Sequence, residues 1–566
     1  MMKGIGVSPF VGIGRAYIFE ELDINIDEYV PKDKEAEIKY FEECIAICKQ
    51  QMKSVYQKTL RDMSEVEAKI FEAHMMIIED EVLLSEVKNK IYNEEKNAAT
   101  ALKETADMYI QLFKEINDEY IKERAADIKD ITNRLLRIIT GSEIADLTCI
   151  QPNTVIFAND LSPSVMAQIK RENIVGIVTE IGGETSHTAI IDRTMEVAAI
   201  VGVKDILTRI KNGDEVIVDG TSGEVILNPS ETMKNNFSNK MEKDKKFREE
   251  LCEMIGLESV TKDGHHVEIT CNIGNARDAK AGLAYDAEGV GLFRSEFLYM
   301  GKNTMPTEEE QFSTYKQVLE MMEDKPTTIR TLDIGGDKEL SYINIPAELN
   351  PFLGYRAIRI SLDQPEIFKV QLRALLRASI YGNLRIMFPM ISSIEEFRSA
   401  KTIYEVCKYE LISEGVKVSN DILLGIMIEV PSAAVLADLF AKEVDFFSIG
   451  TNDLIQYMTA TDRMNTKIAA LYNQYHPAVL RIIYSVIKAA HAEGKWICMC
   501  GEMAQEPKLI PVLIGMGLDE LSMSSQAILN SRKIIRSLSK KEMEAIANTV
   551  INFATAKEVE AYLNKL

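Results

Sequence analysis

One histidine stands in a sequence context suited to accepting a phosphoryl group. His187 lies in the segment GGETSHTA (182–189), after a glycine pair and small hydroxyl residues. Backbone amides of such a loop can face an anion, and the histidine falls at the expected start of a helix. A neutral imidazole nitrogen there can serve as the phosphoryl acceptor. We interpret the remaining histidines as ordinary side chains: His74, His265, His266, His476 and His491. His74, on a predicted helix, could also touch a partner.

Three arginines are suited to binding a small polyanion: Arg294, Arg330 and Arg463. Each planar guanidinium group offers donors that match two oxygens of a phosphate or carboxylate at once. The alternative is that each arginine pairs with a neighbouring acid as part of the scaffold. For a single arginine we would favour that alternative. Three arginines that converge on one end of the barrel predicted below instead indicate a polyanionic small ligand.

Two carboxylates, Glu429 and Asp453, are predicted at the ends of adjacent strands. Such hard oxygen ligands suit Mg²⁺ that is held partly by protein and partly by a phosphorylated substrate. Two carboxylates alone would bind the ion weakly. These carboxylates could instead be ion-pair partners of the arginines. That alternative stays open because structural ion-pair networks also occur at the strand ends of barrels.

Two cysteines, Cys498 and Cys500, close a predicted strand in the segment CMCGE (498–502). Alternation places both side chains on the same face of the strand, so a metal site of the C-x-C type is conceivable. No further Cys or His lies nearby in sequence, and a buried inert thiol is the commonest role of a cysteine. Cys500, at the strand tip, could instead donate and accept a proton, since a thiol with a pKa of about 8.5 is mostly protonated at neutral pH.

The elements that carry these residues alternate regularly from residue 257 onward. Eight strand-like apolar runs occupy residues 266–271, 289–294, 327–332, 384–388, 422–428, 444–449, 496–500 and 518–522. Helix-like segments fill the gaps, among them 308–322, 354–379, 394–413 and 478–492. Eight β/α units predict a (β/α)8 barrel, whose active site lies at the carboxyl ends of its strands. Those ends carry the arginines, acids, amide and thiol named here.

The first half of the chain predicts two further domains. Apolar residues recur at three- and four-residue steps from Ile38 to Leu60 and again from Ile128 to Ile138, which is typical of helices. Short apolar runs separated by turn residues flank this stretch and predict a compact α/β domain. We therefore assign residues 1–25 and 142–229 to an α/β domain, 26–141 to an all-helical insert, 230–256 to a helical linker and 257–566 to the barrel.

Composition excludes several classes of partner. The 566 residues carry 87 acidic and 65 basic side chains, a net charge of −22, which disfavours nucleic acid and anionic lipid and suits a basic protein partner. Eight scattered cysteines indicate reduced thiols and a cytoplasmic location. The N-terminus has no apolar signal segment, and the longest apolar stretch, 423–440, contains Glu429, Pro431 and Asp438, so no membrane span is expected.

At this point the sequence resembles a known family over essentially its whole length. The similar segments are GGETSHTAIIDR (182–193), GVGLFRSEFLYM (289–300), RTLDIGGDKEL (330–340), NPFLGYRAIR (350–359), GIMIEVPSAA (425–434), DFFSIGTNDLIQY (445–457) and CMCGEMA (498–504). Several long motifs in the same order are far more specific than any one of them. The family is enzyme I of the bacterial sugar phosphotransferase system, the phosphoenolpyruvate-protein phosphotransferases.

The resemblance implies that the barrel binds phosphoenolpyruvate and Mg²⁺, and that a swivelling α/β domain carries the phosphorylated histidine, His187. It implies that the helical insert docks the carrier protein HPr, and that the barrel forms a homodimer. Substrate oxygens would be held by Arg294, Arg330, Asn452, Asp453 and Arg463. The metal would be held by Glu429 and Asp453, and Cys500 would protonate the enolate to give pyruvate.

Three positions near His187 depart from the family pattern: Glu184 replaces the usual Arg, Asp192 an Ala and Ala198 a Pro. Two new carboxylates would oppose an arriving phosphoryl dianion if they faced it, whereas Arg193 matches. A regulatory paralogue with an altered carrier or reduced turnover therefore remains an alternative. A pyruvate phosphate dikinase or phosphoenolpyruvate synthase is a weaker one, because no segment before residue 182 has room for its nucleotide-binding domain.

Overall fold

The computed structural model describes residues 2–19, 24–62, 65–115, 119–142, 150–166, 169, 171–182, 197–300, 302, 304–336, 338, 340, 342–343, 345–346, 348–465 and 467–565. His187, Glu184, Asp192 and Arg193 lie outside the described residues. The chain divides into two compact units, Met1–Lys246 and Phe247–Leu566. Among the described residues, no helix combines the length and the apolar character that crossing a bilayer would require.

An eight-stranded mixed sheet is the centre of the first unit. Its strands, in chain order, are β1 (Met2–Lys3), β2 (Ile5–Gly6), β3 (Val11–Ile18), β4 (Thr154–Ala158), β5 (Ile174–Thr179), β6 (Ala198–Val201), β7 (Glu215–Asp219) and β8 (Glu224–Leu227). The spatial order is β1-β8-β7-β3-β4-β5-β6-β2. Since β3 pairs with β4 across the whole insert, the strands on both sides of it belong to one sheet.

The insert between β3 and β4 is helical, as the periodicity predicted. Its helices are α1 (Lys34–Asp62), α2 (Glu65–Ile78), α3 (Glu81–Asn93), α4 (Ala98–Glu115) and α5 (Glu119–Thr140). Phe41, Cys48 and Met52 of α1 are buried in its core, as their spacing requires. His74 on α2 is also fully buried, with Nε2 3.1 Å from Asp127 Oδ1, so the suggestion that it touches a partner is wrong.

A short helix and a long one complete this part of the chain. They are α6 (Pro163–Met166) and α7 (Glu231–Cys252). The long helix corresponds to the predicted linker. None of its residues is buried, which agrees with its polar, Lys/Glu-rich sequence.

The second unit is built on a closed barrel of eight parallel strands. They are β9 (Glu268–Ile273), β10 (Val290–Arg294), β11 (Thr327–Arg330), β12 (Leu384–Phe388), β13 (Leu423–Ile428), β14 (Phe446–Ile449), β15 (Trp496–Met499) and β16 (Glu520–Met523). The barrel closes where β16 pairs with β9, Glu520 opposite Glu268. The predicted (β/α)8 architecture is therefore confirmed, with each strand within three residues of its predicted bounds.

Helices surround the barrel. They are α8 (Ala276–Ala284), α9 (Glu308–Met322), α10 (Ile358–Asp363), α11 (Pro365–Ala378), α12 (Ile394–Ser413), α13 (Pro431–Val435), α14 (Ala437–Phe440), α15 (Thr451–Thr459), α16 (Pro477–Ala492), α17 (Ile510–Met516), α18 (Ile528–Ser537), α19 (Lys540–Val550) and α20 (Ala556–Leu563). The single helix predicted over 354–379 is wrong. It is two helices, because Pro365 cannot continue the first and instead occupies the first turn of the second.

Candidate functional site

The predicted site residues follow the barrel strands at their carboxyl ends. Arg294 and Arg330 are the last residues of β10 and β11, Glu429 follows β13, and Cys500 follows β15. Asp453 lies in the first turn of α15, just beyond β14. Because parallel strands of a closed barrel end at the same rim, all five positions share one face of the molecule.

Arg330 is buried and paired with two acids. Its Nη2 lies 2.7 Å from Glu296 Oε1 and its Nη1 3.1 Å from Asp333 Oδ2. Lys338 joins the same cluster, with Nζ 2.8 Å from Glu296 Oε1. Although burial alone would lower the pKa of Arg330, Glu296 and Asp333 raise it well above its ordinary value. The Nε donor of Arg330 is buried without a partner among the described atoms.

A second buried arginine, Arg356, connects this cluster to Asp453. Its Nη2 lies 3.0 Å from Asp333 Oδ1 and 3.2 Å from Asp453 Oδ2. The Nη1 group donates to the hydroxyl of Tyr457 at 3.2 Å. Arg356 is only 3% exposed, and Tyr457 is bonded in turn to the backbone carbonyl of Phe352. The loop after β11 and the helix after β14 are thus fixed to each other at the rim.

Glu429 is buried beside these groups and holds its proton more tightly than an ordinary carboxyl. Its Oε1 accepts a hydrogen bond from the backbone N–H of Met390 at 2.5 Å. Burial, reinforced by the negative charges of Asp453 and Asp333, raises the pKa of Glu429 to about 8. Arg330 and Arg356 oppose that increase without cancelling it.

In the described part of the rim, carboxylates outnumber cationic side chains. Four carboxylates (Glu296, Asp333, Glu429 and Asp453) face three cations (Arg330, Lys338 and Arg356). Oδ1 of Asp453 is buried and has no hydrogen-bond partner among the atoms that the structure describes. Within the described part of the chain, no three His, Cys, Asp or Glu side chains form a metal-binding group. A Mg²⁺ ion at Glu429 and Asp453 would need its other ligands from substrate and water.

Arg294 and Cys500 line a common cavity. The cavity has a volume of about 350 Å³ and is also lined by Asn272, Phe297 and Glu502. Arg294 makes no ion pair with any residue that the structure describes, so its guanidinium group is available to an anionic ligand. A charged donor and a thiol thus face the same small space.

The Cys500 thiol is buried and protonated at neutral pH. Burial raises the pKa of Cys500, while the Ser448 hydroxyl and Arg330 oppose that rise. Cys498 lies deeper in the barrel beside Glu520 and Ser448, and burial raises the pKa of its thiol well above the usual value. No metal-binding group includes either thiol among the described residues, so the C-x-C alternative gains no support.

Asn452 and Arg463 occupy the segment that follows β14. The Asn452 side chain accepts a hydrogen bond from the Glu502 backbone N–H at 3.2 Å, which ties it to the loop after Cys500. Arg463 follows α15, and its backbone N–H donates to Gln456 Oε1 at 3.1 Å. Burial raises the pKa of Tyr472 to about 12 and Arg463 opposes that rise, while the Tyr472 hydroxyl donates to the Asn452 carbonyl at 3.3 Å. Both residues therefore lie near the rim.

Three residues of the site were not predicted: Lys338, Arg356 and Ser448. The first two lie within the family-like segments 330–340 and 350–359, so their positive charge was a signal that went unused. Ser448 precedes the strand end by one residue, and nothing in its sequence context marks it. His187 cannot be placed relative to the barrel, because it lies outside the described residues.

Family models for phosphoenolpyruvate-utilising enzymes match three stretches of the chain. The model of the N-terminal region matches residues 3–124, that of the mobile domain 150–223 and that of the phosphoenolpyruvate-binding domain 248–540. The last match covers the barrel and every rim residue described here. The fold and the site thus define a phosphoenolpyruvate-utilising enzyme.

Relatives that match over their full length identify the family within the phosphoenolpyruvate-utilising enzymes. The phosphoenolpyruvate-protein phosphotransferase of Staphylococcus carnosus (strain TM300) is 49% identical over 558 residues, 99% of this chain and 97% of that protein. That of Bacillus subtilis (strain 168) is 49% identical over 564 residues, 100% of this chain and 99% of that protein. A solution structure of an enzyme I protein is 34% identical, covers 43% of this chain and 100% of its own, and has a TM-score of 0.38. The chain belongs to the phosphoenolpyruvate-protein phosphotransferase family.

Proposed function

We propose that the protein transfers the phosphoryl group of phosphoenolpyruvate to its own His187 and then to a histidine of the carrier HPr, releasing pyruvate. This is the first step of the sugar phosphotransferase system. The observation that carries the proposal is the rim of the barrel, where an unpaired Arg294, a protonated Cys500 and an incompletely neutralised Glu429–Asp453 pair converge. Free thiols at all seven described cysteines support the predicted cytoplasmic location, which remains a prediction.

Substrate binding is assigned to the cationic and amide groups of the rim. Arg294 binds an anionic group of phosphoenolpyruvate in the cavity that it shares with Cys500. The unpartnered Nε of Arg330, together with Asn452 and Arg463, holds further oxygens of the substrate. Glu296 and Asp333 fix the Arg330 guanidinium group in one orientation, so that little reorganisation accompanies phosphoryl transfer.

Glu429 and Asp453 would hold Mg²⁺, with Asp453 also contacting substrate. When bound, the ion supplies positive charge that neutralises the phosphoryl oxygens as the P–O bond breaks. The protein's part is to supply two carboxylates whose orientation is set by the Met390 N–H and by Arg356. A raised pKa of Glu429 is the signature of a site that lacks positive charge.

Cys500 protonates the enolate left after phosphoryl transfer. The S–H bond breaks, a C–H bond forms at the methylene carbon, and the enolate oxygen becomes the carbonyl oxygen of pyruvate. The raised pKa of Cys500 keeps the proton on sulfur until the enolate forms.

The helical insert is assigned to carrier docking. At the turn between α2 and α3, Met76 and Val82 are each 66% exposed beside the acidic residues Glu79, Asp80 and Glu81. We call these five residues the α2–α3 patch. Exposed apolar groups bordered by acids fit a basic partner with an apolar centre, in agreement with the net charge of −22.

Dimerisation is assigned to the barrel. Six exposed apolar side chains lie in the segments that follow β11, β13 and β14: Leu349, Leu353, Val435, Leu439, Met464 and Leu471. Leu349 and Leu353 also line an apolar cavity of about 540 Å³ with Phe352, Pro431 and Tyr457. A patch of this kind on a folded protein is typical of an interface, and we assign it to a second copy of the chain.

The proposal is tested with phosphoenolpyruvate, Mg²⁺ and purified HPr. The expected result is pyruvate release coupled one to one to HPr phosphorylation, lost in His187→Ala. Phosphorylated protein that cannot pass its phosphoryl group to HPr would instead support the specialised paralogue with another carrier. Phosphoenolpyruvate binding without pyruvate release would support a regulatory paralogue.

A further inference from the structure

Ser448 and Cys500 face each other inside the barrel, on neighbouring strands. Ser448 lies on β14, opposite Cys498 of β15 in the strand register, and is fully buried. Its Oγ lies 3.3 Å from the sulfur of Cys500, with the hydroxyl as donor. The backbone N–H of Cys500 donates to the Ile449 carbonyl at 3.1 Å, and the sulfur lies 3.7 Å from the same oxygen. Two consecutive residues of β14 therefore hold the thiol.

The direction of these bonds fixes what each group can do. A carbonyl oxygen only accepts, so the Ile449 carbonyl can hold the S–H proton but cannot stabilise the thiolate. The Ser448 hydroxyl can donate to sulfur, and such a bond strengthens when sulfur becomes negative. Cys500 and Arg294 both line the 350 Å³ cavity, so a ligand bound there can reach the thiol.

We propose that Ser448 is a positioning residue for protonation of the enolate: its hydroxyl aims the Cys500 thiol at the cavity and stabilises the thiolate left when the proton has moved to carbon. The inference rests on the proposed role of Cys500. In the step, the electron pair of the enolate carbon takes the S–H proton, the S–H electrons stay on sulfur, and the Ser448 O–H bond stays intact. The thiolate regains its proton from water after pyruvate leaves.

A purely structural role is the competing explanation. Ser448 could simply fill the barrel interior, and it also lies beside the deeper thiol of Cys498, where burial raises the pKa and Ser448 opposes that rise. A filling role would be kept by any side chain of similar size. The proposed role needs the hydroxyl, so Ser448→Thr and Ser448→Val, which differ by a hydroxyl in place of a methyl, separate the two explanations.

The experiment measures the reactivity of Cys500 and the rate of pyruvate formation in the full-length protein. Alkylation of Cys500 by iodoacetamide is followed from pH 6 to pH 10 by mass spectrometry of its peptide. In Ser448→Ala and Ser448→Val, we expect alkylation on the rising part of the profile to be roughly tenfold slower, which corresponds to about one pKa unit. We expect kcat for pyruvate formation to fall by a similar factor of about ten, with KM for phosphoenolpyruvate unchanged. Ser448→Thr should restore both.

Cys498→Ala is the matched control, since it removes the other buried thiol that Ser448 adjoins and should leave both readouts unchanged. An unshifted Cys500 alkylation profile in Ser448→Val would overturn the inference, and so would failure of Ser448→Thr to differ from Ser448→Val. The Thr and Val pair also decides the matter if Ser448→Ala does not fold. If Cys500→Ala itself forms pyruvate at the wild-type rate, the proposed role of Cys500 fails. A slow Cys500→Ala beside normal Ser448 variants rejects only the role of Ser448.

Discussion

Glu429 and Asp453 are two buried carboxylates that follow consecutive strands of the barrel, and the charge of Asp453 makes Glu429 harder to ionise. Within the described part of the chain, Asp453 has an arginine bonded to it, Arg356 at 3.2 Å, and Glu429 has none. Burial and the charge of Asp453 raise the pKa of Glu429 to about 8. Ionised Glu429 therefore destabilises the folded protein, and we expect a bound cation to offset that destabilisation.

The first prediction is that Glu429→Gln stabilises the metal-free protein above neutral pH. The raised pKa of Glu429 means that the folded state favours the protonated form, so the free energy of unfolding falls as pH rises from about 4.5 toward 8. At pH 8 the variant should gain roughly 2–5 kcal/mol, because Gln keeps the bond from Met390 N–H without the charge. Thermal unfolding in EDTA at pH 5 and pH 8 measures the difference.

The same variant shows whether cation binding offsets the loss of stability caused by ionised Glu429. Mg²⁺ should raise the unfolding temperature of the wild-type protein at pH 8 and have no effect on that of Glu429→Gln. Equal stabilisation of both proteins by Mg²⁺ would contradict the assignment of Glu429 as a ligand.

The second prediction concerns Arg356, which bridges Asp333 and Asp453 while only 3% exposed. Arg356→Ala removes the arginine bonded to Asp453, while Asp333 keeps its bond to Arg330, and should cost about 3–5 kcal/mol of unfolding free energy. Arg356→Lys should cost less but still lower activity, because an ammonium group lacks the planar fork. Urea unfolding measures both.

The control for that prediction is Arg398→Ala, which removes an arginine paired with Glu443 on the exposed surface. Such a pair contributes at most about 1 kcal/mol. Equal losses in Arg356→Ala and Arg398→Ala would show that the buried bridge adds nothing beyond a surface pair.

The third prediction is that Gly501→Ala impairs catalysis through a steric effect. The φ angle of Gly501, −84°, is open to any residue, so backbone strain is not the reason for glycine. A Cβ atom there would lie 2.7 Å from the backbone N of Thr451, so the loop after Cys500 must move away from α15. Because Asn452 and Asp453 follow Thr451, we expect kcat to fall at least roughly tenfold.

Steady-state kinetics of Gly501→Ala are compared with those of Gly264→Ala, where a Cβ would meet nothing within 4 Å. Gly264 has a φ of +82°, so its variant should lose stability by about 1 kcal/mol and keep its activity. Normal kinetics in Gly501→Ala would mean that the loop tolerates the shift.

The fourth prediction lies at the opposite end of the barrel. Burial and the neighbouring Glu520 raise the pKa of Glu268 to about 7. The unfolded chain releases this proton first, so the free energy of unfolding should fall by about 2–3 kcal/mol as pH rises from 4.5 to 7.5. In Glu268→Gln this decrease in the free energy of unfolding should be absent. In the control Glu542→Gln, at an exposed position, the decrease should remain.

Much of the fold could be predicted because buried parallel strands leave a simple mark on the sequence. Strands covered on both faces read as continuous apolar runs, and eight such runs alternating with helical periodicity specify a closed barrel. The helix break at Pro365 and the short strand Ala198–Val201 were missed. Periodicity does not record either feature, because each depends on local context. One is a proline at the start of a helix, and the other is a sheet strand of only four residues.

The rim was predictable only in part. Arg294, Arg330, Glu429 and Cys500 follow strand ends, so their convergence follows from the barrel topology alone. The bridge from Arg356 to Asp453 and the bond from Ser448 to Cys500 depend on distances between strands, which the closed barrel sets and sequence spacing does not. The raised pKa of Glu429 likewise depends on how many charges surround it.

The most direct test of the central claim is to locate the phosphoryl group on the protein. Full-length protein is mixed with ³²P-labelled phosphoenolpyruvate and Mg²⁺, quenched in base within milliseconds to seconds, and digested. We expect an acid-labile label on the peptide that contains His187, present in the wild-type protein, slower to appear in Arg294→Lys and absent in His187→Ala. Label on any other residue, or a His187→Ala variant labelled as fully as the wild type, would contradict it.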